Sequence, residues 1–421
     1  MSTTASSRRG GTVSVLDIGT SKICCMIARW EPSDSGTRPA SIEVIGVGHQ
    51  RSRGVRNGTI TDLAKAEDAI RRAVDAAEEK AGVAVGSLIV NVSSATLASR
   101  TERATIALNG DEVASTHVDR VLGDATRAAR SRDEKVLHSL PIEFAIDDTP
   151  EIDDPIGMVG DELSVACHFV HTARGPLRNL ERAVNRAHLE VERMVATPYA
   201  SALSATVDDE AEMGCVAIDL GAGTTSWAIL SGGRFLYGDT VAVGGQHITT
   251  DLARGLSIGI EEAERLKVLE VDVAPMVAGD ELVNVAPLAA HGSAAVAAVP
   301  RTLVTQIASA RVEETFELVR DRIRKSGFGR HADRRVILTG GGAQLTGIAD
   351  LARKMLARNV RVGRPVGVRG LAPQHKTPAF STALGLVAYP QAADRERHVR
   401  SLFALPTSGR LARVGRWFRD F

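Results

Sequence analysis

Two stretches of this 421-residue chain place residues capable of chemistry at matching spacing: VSVLDIGTSKICCMIARW at 13–30 and GCVAIDLGAGTTSWAILSGG at 214–233. In each, an apolar β-branched run ends in Asp, an apolar residue and Gly. A turn of small hydroxyl residues follows, then a second alternating apolar run, the pattern of strand, turn, strand. Gly19, Gly221 and Gly223 let the backbone approach a phosphate closely and present N–H groups to its oxygens. Thr20, Ser21, Thr224 and Thr225 add hydroxyl donors, and Lys22 adds a positive charge. Asp17 and Asp219 each close an apolar strand, where a lone carboxylate is costly to bury without a partner. A hydrated Mg2+ riding on nucleotide phosphates is such a partner, because magnesium keeps several waters and takes only one or two carboxylates. A single D-x-G is a common hairpin turn. Two copies with matching flanks, Asp219 lying 202 residues after Asp17, point instead to two similar domains facing each other across a cleft.

A third glycine cluster, RVILTGGGAQLTGI at 335–348, runs an apolar strand into Gly340, Gly341 and Gly342. Helical spacing then extends from Gln344 to Leu356, so the cluster reads as a strand-to-helix junction whose backbone can pass close to a flat ligand. Between the second and third clusters, Gly244 and Gly245 precede a helix, and Glu264 and Lys267 stand three residues apart on one helix face. Such a pair is usually a solvated salt bridge; beside a nucleotide it could hold a ribose or an adenine edge. No GxxxxGK[ST] loop and no dinucleotide fingerprint occurs.

The elements that must position these groups need more than one small core, and the chain length suits two to four domains. Hydrophobic residues at 44% and charged residues at 24% are ordinary globular values. With 51 basic and 51 acidic residues, no global electrostatic argument favours nucleic acid, and none is expected as a partner. Cys24, Cys25, Cys167 and Cys215 form no CxxC pair and read as buried small hydrophobes in a reducing compartment. The N-terminal MSTTASSRRGGT is polar, lacks the apolar core of a secretory signal and is expected to be without fixed structure over 1–12. No uncharged apolar run reaches the roughly 18 to 20 residues that cross a bilayer.

The C-terminal GRLARVGRWFRDF carries a second kind of chemistry. At helical spacing Leu411, Val414, Trp417, Phe418 and Phe421 fall within an arc of roughly 120°. Arg413, Arg416 and Arg419 point the other way, and Arg410 sits at the boundary, where its stem can lie along an apolar surface. Residues 391–408 before it show no sustained pattern and read as a flexible linker spanning about 23 Å root-mean-square. Burying five large side chains is worth on the order of 8 to 12 kcal/mol. Each Arg near an anionic leaflet adds about 1 kcal/mol. Ordering the helix costs roughly 1 to 2 kcal/mol per residue. A single anchor would therefore bind a membrane surface reversibly, and many anchors on one assembly would gain avidity.

The order hairpin, hairpin, GGG junction resembles the actin, sugar-kinase and Hsp70 ATPase superfamily, in which two related α/β lobes close on ATP and Mg2+. Further stretches, SRGVRNGTITDLAKAEDAIRRAVDAAEEKAGV at 52–83, RDEKVLHSLPIEFAIDD at 132–148 and VGGQHITTDLARGLSIGIEEAERLKV at 243–268, resemble the FtsA family of bacterial cell-division proteins. The resemblance implies an actin-like α/β fold with a first lobe at 13–86, 167–198 and 366–390. It implies a family-specific insertion at 87–166, a second lobe at 199–365, the linker at 391–408 and a membrane-targeting helix at 409–421. An insertion is supported by strand-like SLIVNVSS and KVLHSLPIEFAID, by a helix at 116–130 between them, and by the acidic, breaker-rich DDTPEIDDPIGMVGDEL.

The resemblance also implies ATP binding, with Asp17 and Asp219 facing Mg2+ through water. Further implications are self-association into filaments, docking of the C-terminal tail peptide of the tubulin-like FtsZ near helix 301–325, and contact with later division proteins. The place would be the cytoplasmic face of the inner membrane, peripherally, at the division site. Arg301 and Arg311 are candidates to meet an acidic peptide. Hydrolysing actin-like proteins usually carry Glu or Gln before a Pro near the lobe connection; here Thr197 precedes Pro198 in ATPYASAL, so turnover is expected to be slow. Two rivals are a soluble phosphotransferase or chaperone-type ATPase, and an actin-like scaffold of a pilus assembly platform.

Overall fold

A computed structural model describes residues 11–31, 41–274, 281–286, 297–332, 335–356 and 358–401. The two chemical hairpins are the centres of two sheets built alike. In the first, Thr12–Ile18 pairs antiparallel with Lys22–Glu31 and parallel with Ser87–Val92. In the second, Cys215–Leu220 pairs antiparallel with Thr225–Ser231 and parallel with Arg335–Thr339. Each central strand is covered on both faces, which explains its nearly continuous apolar sequence. Every residue of Cys215–Leu220 is buried. The first sheet runs in the order Glu190–Ala196, Ser87–Val92, Thr12–Ile18, Lys22–Glu31, Ser41–Arg51, Val368–Arg369. The second runs Arg234–Val241, Thr225–Ser231, Cys215–Leu220, Arg335–Thr339, Asn359–Val362.

The helix Leu63–Ala81 shows how local signals place an element. Asp62 accepts from the Lys65 N–H at 3.1 Å as an N-cap. Ala66, Ala69, Ile70, Ala73, Val74 and Ala77 form one buried face at three- and four-residue spacing, and Gly82 ends the helix in the left-handed region at φ 68°. Between the lobes, Thr197–Ala205 packs against the late helix Ser381–Ser401, and the core of the first lobe extends through both into Cys215, Ala217, Ala228 and Ile337 of the second. The hinge helix is thus common property of the two lobes, although the second lobe is expected to start at 199.

Three boundaries differ from expectation. Ser87–Val92 belongs to the first sheet, not to the insertion, because its apolar residues pair with Val15 and Leu16 in the core. At its other end the insertion extends past 166, since Glu162–Ala173 pairs over its length with Ala98–Ala107 and Glu134–Ile146. Ser115–Ala128 covers this four-stranded sheet with its own small core of Val118, Val121, Phe144 and Phe169. Finally, the last helix passes through Pro390 to Ser401, so the first part of the 391–408 linker is helical. Good helix formers in AADRERHVRS carry it past the proline. The segment 409–421, expected to be a membrane-targeting helix, lies outside the described residues.

His168 locks the insertion to the second lobe: its Nδ1 donates to the Phe235 carbonyl at 3.1 Å and its Nε2 lies 2.8 Å from Ser99 Oγ. Burial pushes its pKa down to about 4, so it is neutral at physiological pH. All four cysteines are buried and free, and burial raises the thiols of Cys24 and Cys215 to about 12.

Candidate functional site

Each hairpin closes in the same way. Gly19 N–H donates to Lys22 O, and Gly221 N–H donates to Thr224 O, both at 2.9 Å. Asp17 stands opposite Cys24 and Asp219 opposite Ser226, each just before its turn. The turns meet across the lobes: a Cβ on Gly223 would lie 2.5 Å from Thr20 Oγ1 and 2.9 Å from the Asn57 backbone. Only glycine lets the second turn come this near the first. Thr20 Oγ1 in turn accepts from Gly58 N–H at 3.2 Å, tying the Asn57–Gly58 bend to the first hairpin.

The other predicted residues gather at the second hairpin. Gly245 N–H donates to Gly221 O at 2.9 Å and Gln246 N–H to Ala222 O at 2.8 Å, clasping the start of helix Gly245–Gly255 onto the turn. Gly244 N–H donates to His247 Nδ1. Lys267 Nζ bonds Glu264 Oε2 at 2.7 Å, Thr249 Oγ1 at 2.9 Å and Gly245 O at 3.3 Å, so this pair borders the glycines and is not a free surface bridge. Gly340 has φ 80°, and a Cβ there would fall 2.2 Å from Asp219 Oδ1. Its position requires glycine twice over, for conformation and for space. Gly341–Gln344 forms a 3-10 turn, and the helix begins only at Ile348, because Gly347 takes φ 77° against Ala274. The expected helix from Gln344 is therefore interrupted. Gln344 is exposed, with its Nε2 3.5 Å from Gly341 O.

Two predicted donors, Thr225 and Lys22, are committed elsewhere, and the backbone of Ser21 is tied down while its side chain stays exposed. Thr225 Oγ1 donates to Val243 O at 2.8 Å inside the core. Ser21 contributes its carbonyl to Ser52 N–H. Lys22 Nζ donates to Ala379 O and lies 3.6 Å over the Phe380 ring, bridging the first hairpin to the start of the late helix. Thr224 is buried beside the second turn. On the second lobe, Arg301 is paired with Glu270 at 2.6 Å and Glu281 at 3.2 Å, and Arg311 with Asp251 at 2.6 Å. Both guanidiniums are thus engaged by carboxylates of their own lobe.

Sequence reasoning missed Asn91 and Thr382. Asn91 Oδ1 accepts the Ile18 N–H at 2.7 Å, holding the strand end that presents Asp17. Its Nδ2 donates to Ser93 Oγ at 3.0 Å and Thr197 Oγ1 at 3.2 Å. A lone polar residue in the apolar run SLIVNV was a legible signal. Thr382 Oγ1 donates to Asp219 Oδ2 at 2.9 Å; nothing at sequence level linked residues 163 apart. Thr197 has its hydroxyl tied to Ser93 and Asn91 and brings no carboxylate to the lobe connection.

Both aspartates are under electrostatic stress. Burial pushes Asp17 up to about 6, with Lys22 opposing and the Asp219 charge adding to the rise. Burial likewise raises Asp219, against hydrogen bonds from Thr382 and Ser201 and the charge of Lys22. Asp17, raised by burial and by the charge of Asp219, lacks full compensation, which fits a cation close by. Among the described residues no group of three or more His, Cys, Asp or Glu could cage a metal, so a dication here would keep most of its waters. The glycine cradle and this charge pattern fit a magnesium-bound polyphosphate.

The Asp17 shift gives a signed expectation for the nucleotide-free protein. Its folded pKa of about 6 exceeds the ordinary 3.8, so the folded state holds the proton more tightly, and stability from this group falls as pH rises between those values. The loss is about 3 kcal/mol at about 1.4 kcal/mol per pH unit. Asp17→Asn should therefore gain on the parent by up to about 3 kcal/mol between pH 4 and pH 7, read by urea unfolding at each pH.

Residues 216–385 match the family model described as cell division protein FtsA, and residues 94–171 match the SHS2 domain inserted in FTSA. A cell division protein FtsA from Rhizobium meliloti (strain 1021) is 50% identical over 422 residues, covering 98% of this chain and 96% of its own length. Among solved structures, a PilM-PilN type IV pilus biogenesis complex aligns at TM-score 0.62 with 17% identity, covering 90% of this chain and 98% of that one. MreB5 of Spiroplasma citri bound to ADP aligns at TM-score 0.54 with 12% identity, covering 92% and 98%. At such identities these two likenesses speak for the actin-like fold alone.

Proposed function

Because this chain belongs to the FtsA family of cell-division proteins, we propose that it is an ATP-binding, membrane-tethered adaptor that self-associates and attaches the FtsZ ring to the inner face of the cytoplasmic membrane at the division site. The observation that carries the nucleotide part is the pair of buried carboxylates, Asp17 and Asp219, each raised by burial, on two hairpins whose turns touch. The Mg2+ of a bound MgATP would supply the positive charge that Asp17 and Asp219 lack, and the nucleotide would be a ligand common to both lobes. Gly19, Thr20, Gly221, Gly223 and Thr224 would face the phosphates, and Gly244, Gly245, Glu264, Lys267 and the Gly340–Gly342 turn would face the nucleoside. Thr197 cannot serve as a base while its hydroxyl bonds Ser93 and Asn91, which supports a nucleotide that clamps the lobes and is hydrolysed slowly.

No described helix is long and apolar enough to cross a membrane, and the tethering part rests on the amphipathic pattern of 409–421. Docking of the FtsZ tail near helix Arg301–Lys325 and recruitment of later division proteins through the insertion rest on family membership, the former no longer on Arg301 and Arg311. Titration with ATP in Mg2+ and in EDTA, followed by phosphate release, tests the cleft. Binding should require Mg2+, and turnover should fall well below the roughly 1 s⁻¹ lower end of ordinary enzymes. Metal-independent binding or fast turnover would replace the clamp with another reading.

A further inference from the structure

A cavity of about 400 Å³ opens on the side of the molecule formed by the insertion, the hinge helix and the second sheet. Its size falls in the range of roughly 300 to 1,000 Å³ that holds small ligands or a few side chains. The floor is apolar: Tyr199 and Phe235 stack at 4.6 Å between ring centroids, flanked by Leu203 and Leu236. The rim is acidic, with Glu143, Asp153, Asp208 and Glu212; Arg234 is bound to Asp153 and to the Ile142 carbonyl, and Arg103 pairs with Glu143 at 3.5 Å. Among the described residues, Asp208 and Glu212 have no ion-pair partner and both are exposed. Beside them on the short helix Asp208–Met213, Met213 is 63% exposed.

Ala392 of the late helix forms part of the wall. From there the helix continues nine residues to Ser401, about 14 Å at 1.5 Å per residue. The seven residues 402–408 can span up to about 25 Å when extended, so the chain can return to the groove it has just left. Next in the chain comes the segment 409–421, whose apolar residues include Trp417 and Phe418 and whose charges are Arg410, Arg413, Arg416 and Arg419 against Asp420.

We propose that, away from lipid, the C-terminal segment 409–421 docks its Trp417–Phe418 end in this groove, with its arginines against the acidic rim. The inference rests on the reading of that segment as an amphipathic anchor. The same apolar face cannot occupy groove and membrane at once, so the groove is a competitor for lipid and holds the free protein in a form that binds membranes weakly.

The test compares hydrogen exchange in the lipid-free full chain with the full-length variant Trp417→Glu/Phe418→Glu. Segments 140–153 and 206–212 should exchange about tenfold more slowly in the parent and lose that protection in the variant. A second full-length variant, Asp208→Arg/Glu212→Arg, changes only exposed positions and should release the tail, giving severalfold stronger sedimentation with phosphatidylglycerol vesicles. Equal exchange in parent and tail variant would overturn the proposal, whatever the vesicles show. Protection that rises with protein concentration would assign the groove to a second copy and also overturn it. Groove protection in a parent that never sediments with vesicles would uphold the docking and remove the anchor reading.

Discussion

Asp219→Asn is expected to weaken ATP binding in the presence of Mg2+ on the order of 10²-fold, with little change in EDTA. The side chain keeps its shape and can still accept from Thr382 Oγ1, so the contact with the late helix at 2.9 Å survives. What is lost is one of two negative charges facing the cleft, and interactions that depend on a buried charge are worth about 1.5 to 3 kcal/mol, with about 1.4 kcal/mol per factor of ten. Burial raises the Asp219 pKa, so the neutral amide also removes a charge that the fold disfavours, and the nucleotide-free variant should melt no lower than the parent. Calorimetric titration and thermal melts separate the two effects. Unaltered Mg2+-dependent affinity would end the assignment of the cleft.

The second large effect concerns the tail. Trp417→Glu/Phe418→Glu should reduce sedimentation of the full chain with anionic vesicles by at least about 10²-fold, because burying each large apolar side chain is worth roughly 1.5 to 3 kcal/mol. Charge reversal at Arg413 and Arg416 should produce a smaller loss that salt abolishes, since each charge near an anionic surface contributes about 1 kcal/mol within a Debye length. MgATP should strengthen binding of the parent if the nucleotide promotes assembly, through avidity and not through any new contact. Binding that survives both sets of changes would show that the segment is not a membrane anchor.

How much of this was legible before folding depended on the range of the interactions. Both hairpins, Gly340–Gly342, Ser115–Ala128 and Arg301–Lys325 were readable, because alternation, helical spacing and turn glycines are local patterns. The interruption at Gly347 was not, since it depends on where Ala274 lies in space. Ser87–Val92 was assigned to the wrong unit because a buried strand reads the same in either sheet, and only its parallel register with Val15–Leu16 decides.

The chain alone therefore determined the chemistry on offer: two carboxylates ending apolar strands, glycines where a backbone must pass close to a ligand, and a terminal apolar face backed by arginine. Tertiary structure decided which of these groups are available. It turned Lys22 toward Ala379 and Phe380, paired Arg301 and Arg311 within their own lobe, buried Thr225, and supplied Asn91 and Thr382 to hold the strands that present the aspartates. The reason is physical: residue type and spacing set what a side chain can do, but a donor or charge is spent on the partner that folding brings nearest, and for Lys22 and Thr382 that partner lies more than a hundred residues away in the chain.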